Sequence, residues 1–62
     1  MIFSNIQAKC KEKGITITAL ENECGLGKKT IYKWQHSVPN VMTLKLIADY
    51  FGCTIEDLIK ED

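Results

Sequence analysis

Gly14, Gly25, Pro39 and Gly52 cut the chain into short stretches, and that punctuation constrains the fold more than any other feature. Glycine is the natural left-handed stop of a helix, and proline blocks helix continuation. No stretch alternates at period two long enough to form a strand. Apolar residues instead recur at helical spacing. Ile2, Ile6 and Cys10, with Phe3 beside them, predict a first helix over about 2–13. Thr16 is a candidate N-cap for a second helix, on which Ile17, Leu20 and Cys24 form one buried edge before Gly25 ends it. After Leu26 and Gly27, a third helix is predicted over about 28–35. Asn40 caps a fourth over about 41–51, with Leu44, Ile47, Ala48 and Phe51 inward and Val41 extending the stripe. Thr54 and Asp57 form a capping-box pattern before a fifth helix over about 55–60, which buries Ile55, Leu58 and Ile59. The expected fold is all-α, five helices in a single domain over 1–62.

The third helix separates its side chains. At about 100° per residue, Thr30, Ile31 and Trp34 fall on one side, and Lys28, Lys29, Tyr32 and Lys33 on the other. Net charge is zero over the 62 residues, yet residues 1–40 hold six lysines against three acids, and residues 41–62 two lysines against five acids. Residues 24–40 contain three lysines, His36 and no acid. Such asymmetry suits one face to an anion.

A helix-turn-helix needs two short helices crossing closely, a turn residue free to take positive φ, and an apolar residue just beyond it. Leu20, Cys24, Gly25, Leu26, Ile31 and Trp34 supply that set over about 17–35. The segment ITALENECGLGKKTIYKW resembles the phage-repressor-like (Cro, lambda repressor, XRE) helix-turn-helix family, and PNVMTLKLIADYFGCTIEDLI is similar to that family's continuation. The resemblance implies a compact five-helix lambda-repressor-like domain that binds double-stranded DNA as a transcriptional regulator; a repressor is expected, because so small a domain offers no obvious segment with which to recruit polymerase. It implies a two-fold symmetric operator and a homodimer built on the domain's own surface around the fourth and fifth helices, with Tyr50 and Ile59 as candidates.

Three departures from the family's pattern stand out. Glu21 stands where a small residue is usual, with a stem that can snorkel out of the helix contact. Ile17 replaces a polar phosphate-contacting residue. Cys10 and Gln35 stand where many members pair an Arg with a Glu, and losing both leaves no orphan charge.

Lys28, Lys29, Tyr32 and Lys33 are the candidate base-facing residues, because early recognition-helix side chains reach base edges. Thr16, Thr18, His36, Ser37, Asn40 and Lys45 are candidate phosphate contacts, and the start of the third helix offers N–H groups to a phosphate.

Other classes find less support. Gly25–Thr30 looks superficially like a phosphate loop, but a Walker motif needs Gly where Asn22 stands and Ser or Thr where Lys29 stands. No nucleophile-and-base set is recognisable, so no enzyme is expected. Cys10, Cys24 and Cys53 lack metal-ligand spacing and read as small buried residues, so neither metal nor cofactor is expected. No apolar run spans a membrane and no secretory leader precedes the first helix, which together predict a cytoplasmic protein. The rival reading is a protein-interaction module on the same fold, such as an antitoxin or anti-repressor.

Overall fold

The computed structural model describes residues 1–61, and within them every regular element is helical. Four α-helices are present: α1 (Ile2–Lys13), α2 (Ile17–Glu23), α3 (Val41–Phe51) and α4 (Ile55–Ile59). A 3-10 helix, Ile31–Gln35, lies between α2 and α3. The third of the five predicted helices is therefore not an α-helix over 28–35: residues 28–30 form a turn, and one 3-10 segment follows.

Each boundary has a local cause. Thr16 accepts from the Ala19 N–H at 3.0 Å, and Asn40 accepts from the Thr43 N–H at 2.8 Å. Thr54 and Asp57 close a reciprocal box over the first turn of α4. The first turn of a helix leaves its N–H groups without intrahelical partners, and these caps satisfy them. At the end of α2 the chain turns through Gly25 at φ 70°. There the Leu26 N–H reaches the Glu21 carbonyl at 2.8 Å and the Gly25 N–H reaches Asn22 at 3.3 Å. These paired bonds satisfy the last carbonyls of α2 and require the left-handed region. Gly14 and Gly52 close α1 and α3 with the same pattern of bonds.

The core gathers one stripe from each element. Ile6, Leu20, Ile31, Ile47 and Leu58 are fully buried, one each from α1, α2, the 3-10 helix, α3 and α4. Cys10, Ile17, Trp34, Leu44 and Ala48 complete the cluster. Each fully buried Ile or Leu contributes about 1.5–3 kcal/mol by leaving water. Two predicted core positions lie outside: Val41 is 62% and Ile59 is 43% exposed. Both sit at a helix end, where the apolar stripe runs past the edge of the core. Burial raises the pKa of the Cys10 and Cys24 thiols, which therefore stay protonated at neutral pH. Among the described residues no helix is long and apolar enough to cross a membrane.

Candidate nucleic-acid interface

The segment that follows Gly25 is shaped by a residue in the preceding helix. Glu21 is only 2% exposed. Its Oε1 accepts from the Lys29 N–H at 3.1 Å and its Oε2 from the Ile31 N–H at 3.0 Å. The stem does not snorkel to solvent; the carboxylate turns inward onto the next segment. The N–H groups expected to meet a phosphate at positions 29 and 31 are thus already occupied. Burying a carboxylate is costly unless it is hydrogen-bonded, and two backbone donors meet that requirement.

Lys29 has φ 61°, a left-handed backbone in a residue that carries a side chain. This breaks the α-helical course of 28–35. The Thr30 N–H closes a tight turn onto the Gly27 carbonyl at 3.2 Å. The Lys33 N–H is then shared between the Lys29 and Thr30 carbonyls, at 3.3 and 3.2 Å. β-Branched Thr30 and Ile31 further lower α-helical propensity.

The fold brings several of the sequence-selected residues together. Thr18, Lys28, Lys29 and Tyr32 line one groove of about 620 Å³, with Glu21 at its floor. Tyr32 also borders a smaller groove of about 290 Å³ that includes Gln7, Lys11, Thr16 and Ile17. The Phe3 ring meets Tyr32 at 5.6 Å between centroids, tilted by 45°, so α1 backs the tyrosine. Lys33, next to Tyr32 in the chain, is exposed but does not line this groove.

The remaining candidates lie elsewhere. His36 and Ser37 border a different hollow, with Met1, Trp34 and Ile59. The Ser37 hydroxyl donates to the Lys33 carbonyl at 3.0 Å. The Asn40 carbonyl oxygen is engaged in capping α3, and Lys45 pairs with Asp49 at 3.3 Å on the exposed side of α3. Ile17 is buried, so the start of α2 offers Thr16 and Thr18 hydroxyls instead of a side-chain amide. Cys10 is buried and Gln35 is exposed, bonding only to the Tyr32 carbonyl at 3.3 Å, with no ion pair where the resemblance would place one.

Gln7 and Lys11 were not among the sequence candidates. Their signal was present: Phe3, Gln7 and Lys11 follow at i, i+4 and i+8 on one face of α1, the face that meets Tyr32. Among the described residues no three His, Cys, Asp or Glu side chains converge as a metal site would require.

α2, the left-handed turn at Gly25 and the 3-10 helix beyond it follow the order of a helix-turn-helix, with Lys28 and Lys29 on the connecting turn and Tyr32 and Lys33 on the 3-10 helix. Comparison with known families agrees: the Cro/C1-type HTH DNA-binding domain matches residues 5–61. The chain belongs to the Cro/C1-type helix-turn-helix family. No curated protein and no solved structure matches it. In this Cro/C1-type domain a 3-10 helix lies between α2 and α3, where the sequence predicts a third α-helix.

Proposed function

We propose that this Cro/C1-type domain binds double-stranded DNA sequence-specifically and acts as a transcriptional repressor, inserting residues 28–35 into the major groove. The observation that carries this reading is the surface shared by Lys28, Lys29 and Tyr32 beside the start of α2, with Lys33 exposed and next to Tyr32 in the chain. Lys28, Lys29 and Lys33 donate to guanine O6 and N7 or to phosphate, and the Tyr32 hydroxyl can serve either. Thr18 lines the same groove, and Thr16 and Lys11 line the adjoining one, which suits the three to flanking phosphates. His36, Ser37, Asn40 and Lys45 remain as outer backbone contacts, each with part of its polar capacity free.

A single short reading segment buries little surface, so the operator reading carries a homodimer with it, each copy taking one half-site. Val41, Met42 and Leu46 on α3, 62%, 75% and 45% exposed, and Ile59 on α4 are apolar side chains available for that contact. Tyr50 is less suited, because it is half-buried against Phe51 and Lys13. The same exposed apolar residues favour the second reading, an antitoxin or anti-repressor whose main partner is a protein. Neither reading involves catalysis, and a DNA regulator of this kind works in the cytoplasm.

Selection from a randomised duplex pool tests the proposal, with wild type and the Lys29→Glu, Lys33→Glu double variant compared and both checked for helical content. Enrichment of a two-fold symmetric site by wild type, lost in the folded variant, supports it. Folded wild type that enriches nothing at low salt rejects it and favours the protein partner.

A further inference from the structure

We infer that Glu21 is the positioning residue of the reading segment: its buried carboxylate clamps the amides of Lys29 and Ile31 and thereby sets how well the domain discriminates between DNA sequences. The inference rests on the DNA reading proposed above.

Three observations point to this role. Glu21 is the one charged residue in the core among the described residues, and no ammonium lies within ion-pair distance of it. A position beside Leu20 would be filled at less cost by an apolar side chain, because a buried charge seldom adds net stability. Each carboxylate oxygen takes a different donor, Oε1 from Lys29 and Oε2 from Ile31, so the contact fixes the orientation of the segment on α2 as well as its distance. Finally, Lys29 is the one non-glycine residue with positive φ among those described. A lysine backbone stays there only when its surroundings over-determine it. The bond from its own N–H to Glu21 ties that residue to the preceding helix, whereas the bond its carbonyl accepts from Lys33 ties it only to the segment itself.

This turn sets the course of the chain between Lys28 and Tyr32, and with it the relative placement of the groove-lining side chains. Base readout depends on such placement, whereas attraction to phosphate depends mainly on the number of cations. Charge alone makes the opposite forecast for removing Glu21. A carboxylate behind a DNA-facing surface repels phosphate, so neutralising it should strengthen all binding. Positioning forecasts weaker binding to the preferred site alone.

Glu21→Gln separates the two forecasts in the full chain. Glutamine keeps the length but has a single acceptor oxygen, and its NH2 group would face one of the two backbone donors. Affinity is measured for the wild-type-selected duplex and for a scrambled duplex, and amide exchange at Lys29 and Ile31 is followed by NMR without DNA. The expected result is a fall of roughly tenfold or more in the selected-to-scrambled ratio, with scrambled binding unchanged or stronger. Exchange at the two amides should quicken while those of Leu20 and Ile47 hold. If the glutamine variant is unfolded, Glu21→Met fills the space without a charge to desolvate, and the same loss of discrimination is expected. A folded variant that discriminates like wild type overturns the inference. Wild type that prefers no duplex rejects the DNA reading itself. The exchange data then decide the clamp alone: equal rates at the two amides in wild type and variant overturn it.

Discussion

Asn5 near the start of α1 donates through Nδ2 to the Leu58 carbonyl at 2.9 Å, 53 positions along the chain. The same nitrogen donates to the Lys60 carbonyl at 2.8 Å. The last carbonyls of a helix have no intrahelical partner, and α4 has only five residues over which to share the loss. Asn5 therefore caps the far end of α4 while the Thr54–Asp57 box caps the near end, and Leu58 is held fully buried between them. Asn5→Ala is expected to cost about 1–2 kcal/mol, read from the urea midpoint. Asn5→Asp should cost more, since a carboxylate would face two carbonyl oxygens. Equal stability of all three proteins would mean that water replaces the cap without loss.

Two left-handed positions, Gly25 and Lys29, shape the turn between α2 and the 3-10 helix, and they predict opposite signs. A Cβ built at Gly25 meets nothing within 4 Å, so Gly25→Ala is disfavoured by backbone conformation alone, at φ 70°. The expected loss is about 1–2 kcal/mol. Lys29 already carries that disadvantage at φ 61°. Lys29→Gly should recover up to about 1 kcal/mol, offset in part by the greater entropy of an unfolded glycine. Urea unfolding measures both, and destabilisation by Lys29→Gly would mean that the lysine side chain holds contacts that outweigh the strain.

The capping box of α4 gives the domain a titratable element. Hydrogen bonds from Thr54, backbone first and side chain second, hold the Asp57 carboxyl below its ordinary value. A depressed pKa in the folded state means that the unfolded chain takes up the proton first as pH falls. The contribution is complete above the unfolded value of about 3.9 and is lost as pH drops through the lower folded value. Wild type should thus lose more thermal stability on acidification through that window than Asp57→Asn. Parallel melting curves for the two proteins would remove Asp57 from the acid response.

Most of the scaffold was legible because its causes are local. Thr16, Asn40 and Thr54 each mark a helix start through a bond to the third residue onward, and Gly14 and Gly52 mark ends through bonds reaching back a few residues. Ile6, Leu20, Leu44, Ile47 and Leu58 declare themselves by spacing. The reading segment was less legible because a residue in the preceding helix decides its shape. Glu21 lies eight and ten positions before the amides it binds, and a carboxylate among apolar neighbours gives no sign in a sequence of whether it points out or in. Asn5 was silent for the same reason, since its partners are distant in the chain. Lys28, Lys29 and Tyr32 were grouped by an α-helical face that the chain does not form there, and the turn at Lys29 nonetheless brings them to one groove, while Gln7 and Lys11 were missed because α1 was read for its core stripe alone.

Phe3 supports Tyr32 from α1 through the tilted ring contact at 5.6 Å, and it carries no group that could bond to DNA. Phe3→Ala removes the backing of the ring while leaving every lysine in place. An aromatic pair of this kind is worth about 0.5–1.5 kcal/mol beyond its buried area. If that energy holds Tyr32 in its DNA-facing position, affinity for the selected duplex should fall about two- to tenfold at a temperature where both proteins are folded. The dependence of affinity on salt should stay the same, because no phosphate contact is lost. Tyr32→Ala should weaken binding at least as much, and adding Phe3→Ala to it should change little further, since both act through one ring. Additive losses would show that Phe3 works through the core and not through Tyr32. A salt slope that falls by about one in the tyrosine variant would assign its hydroxyl to a phosphate-linked contact and not to a base.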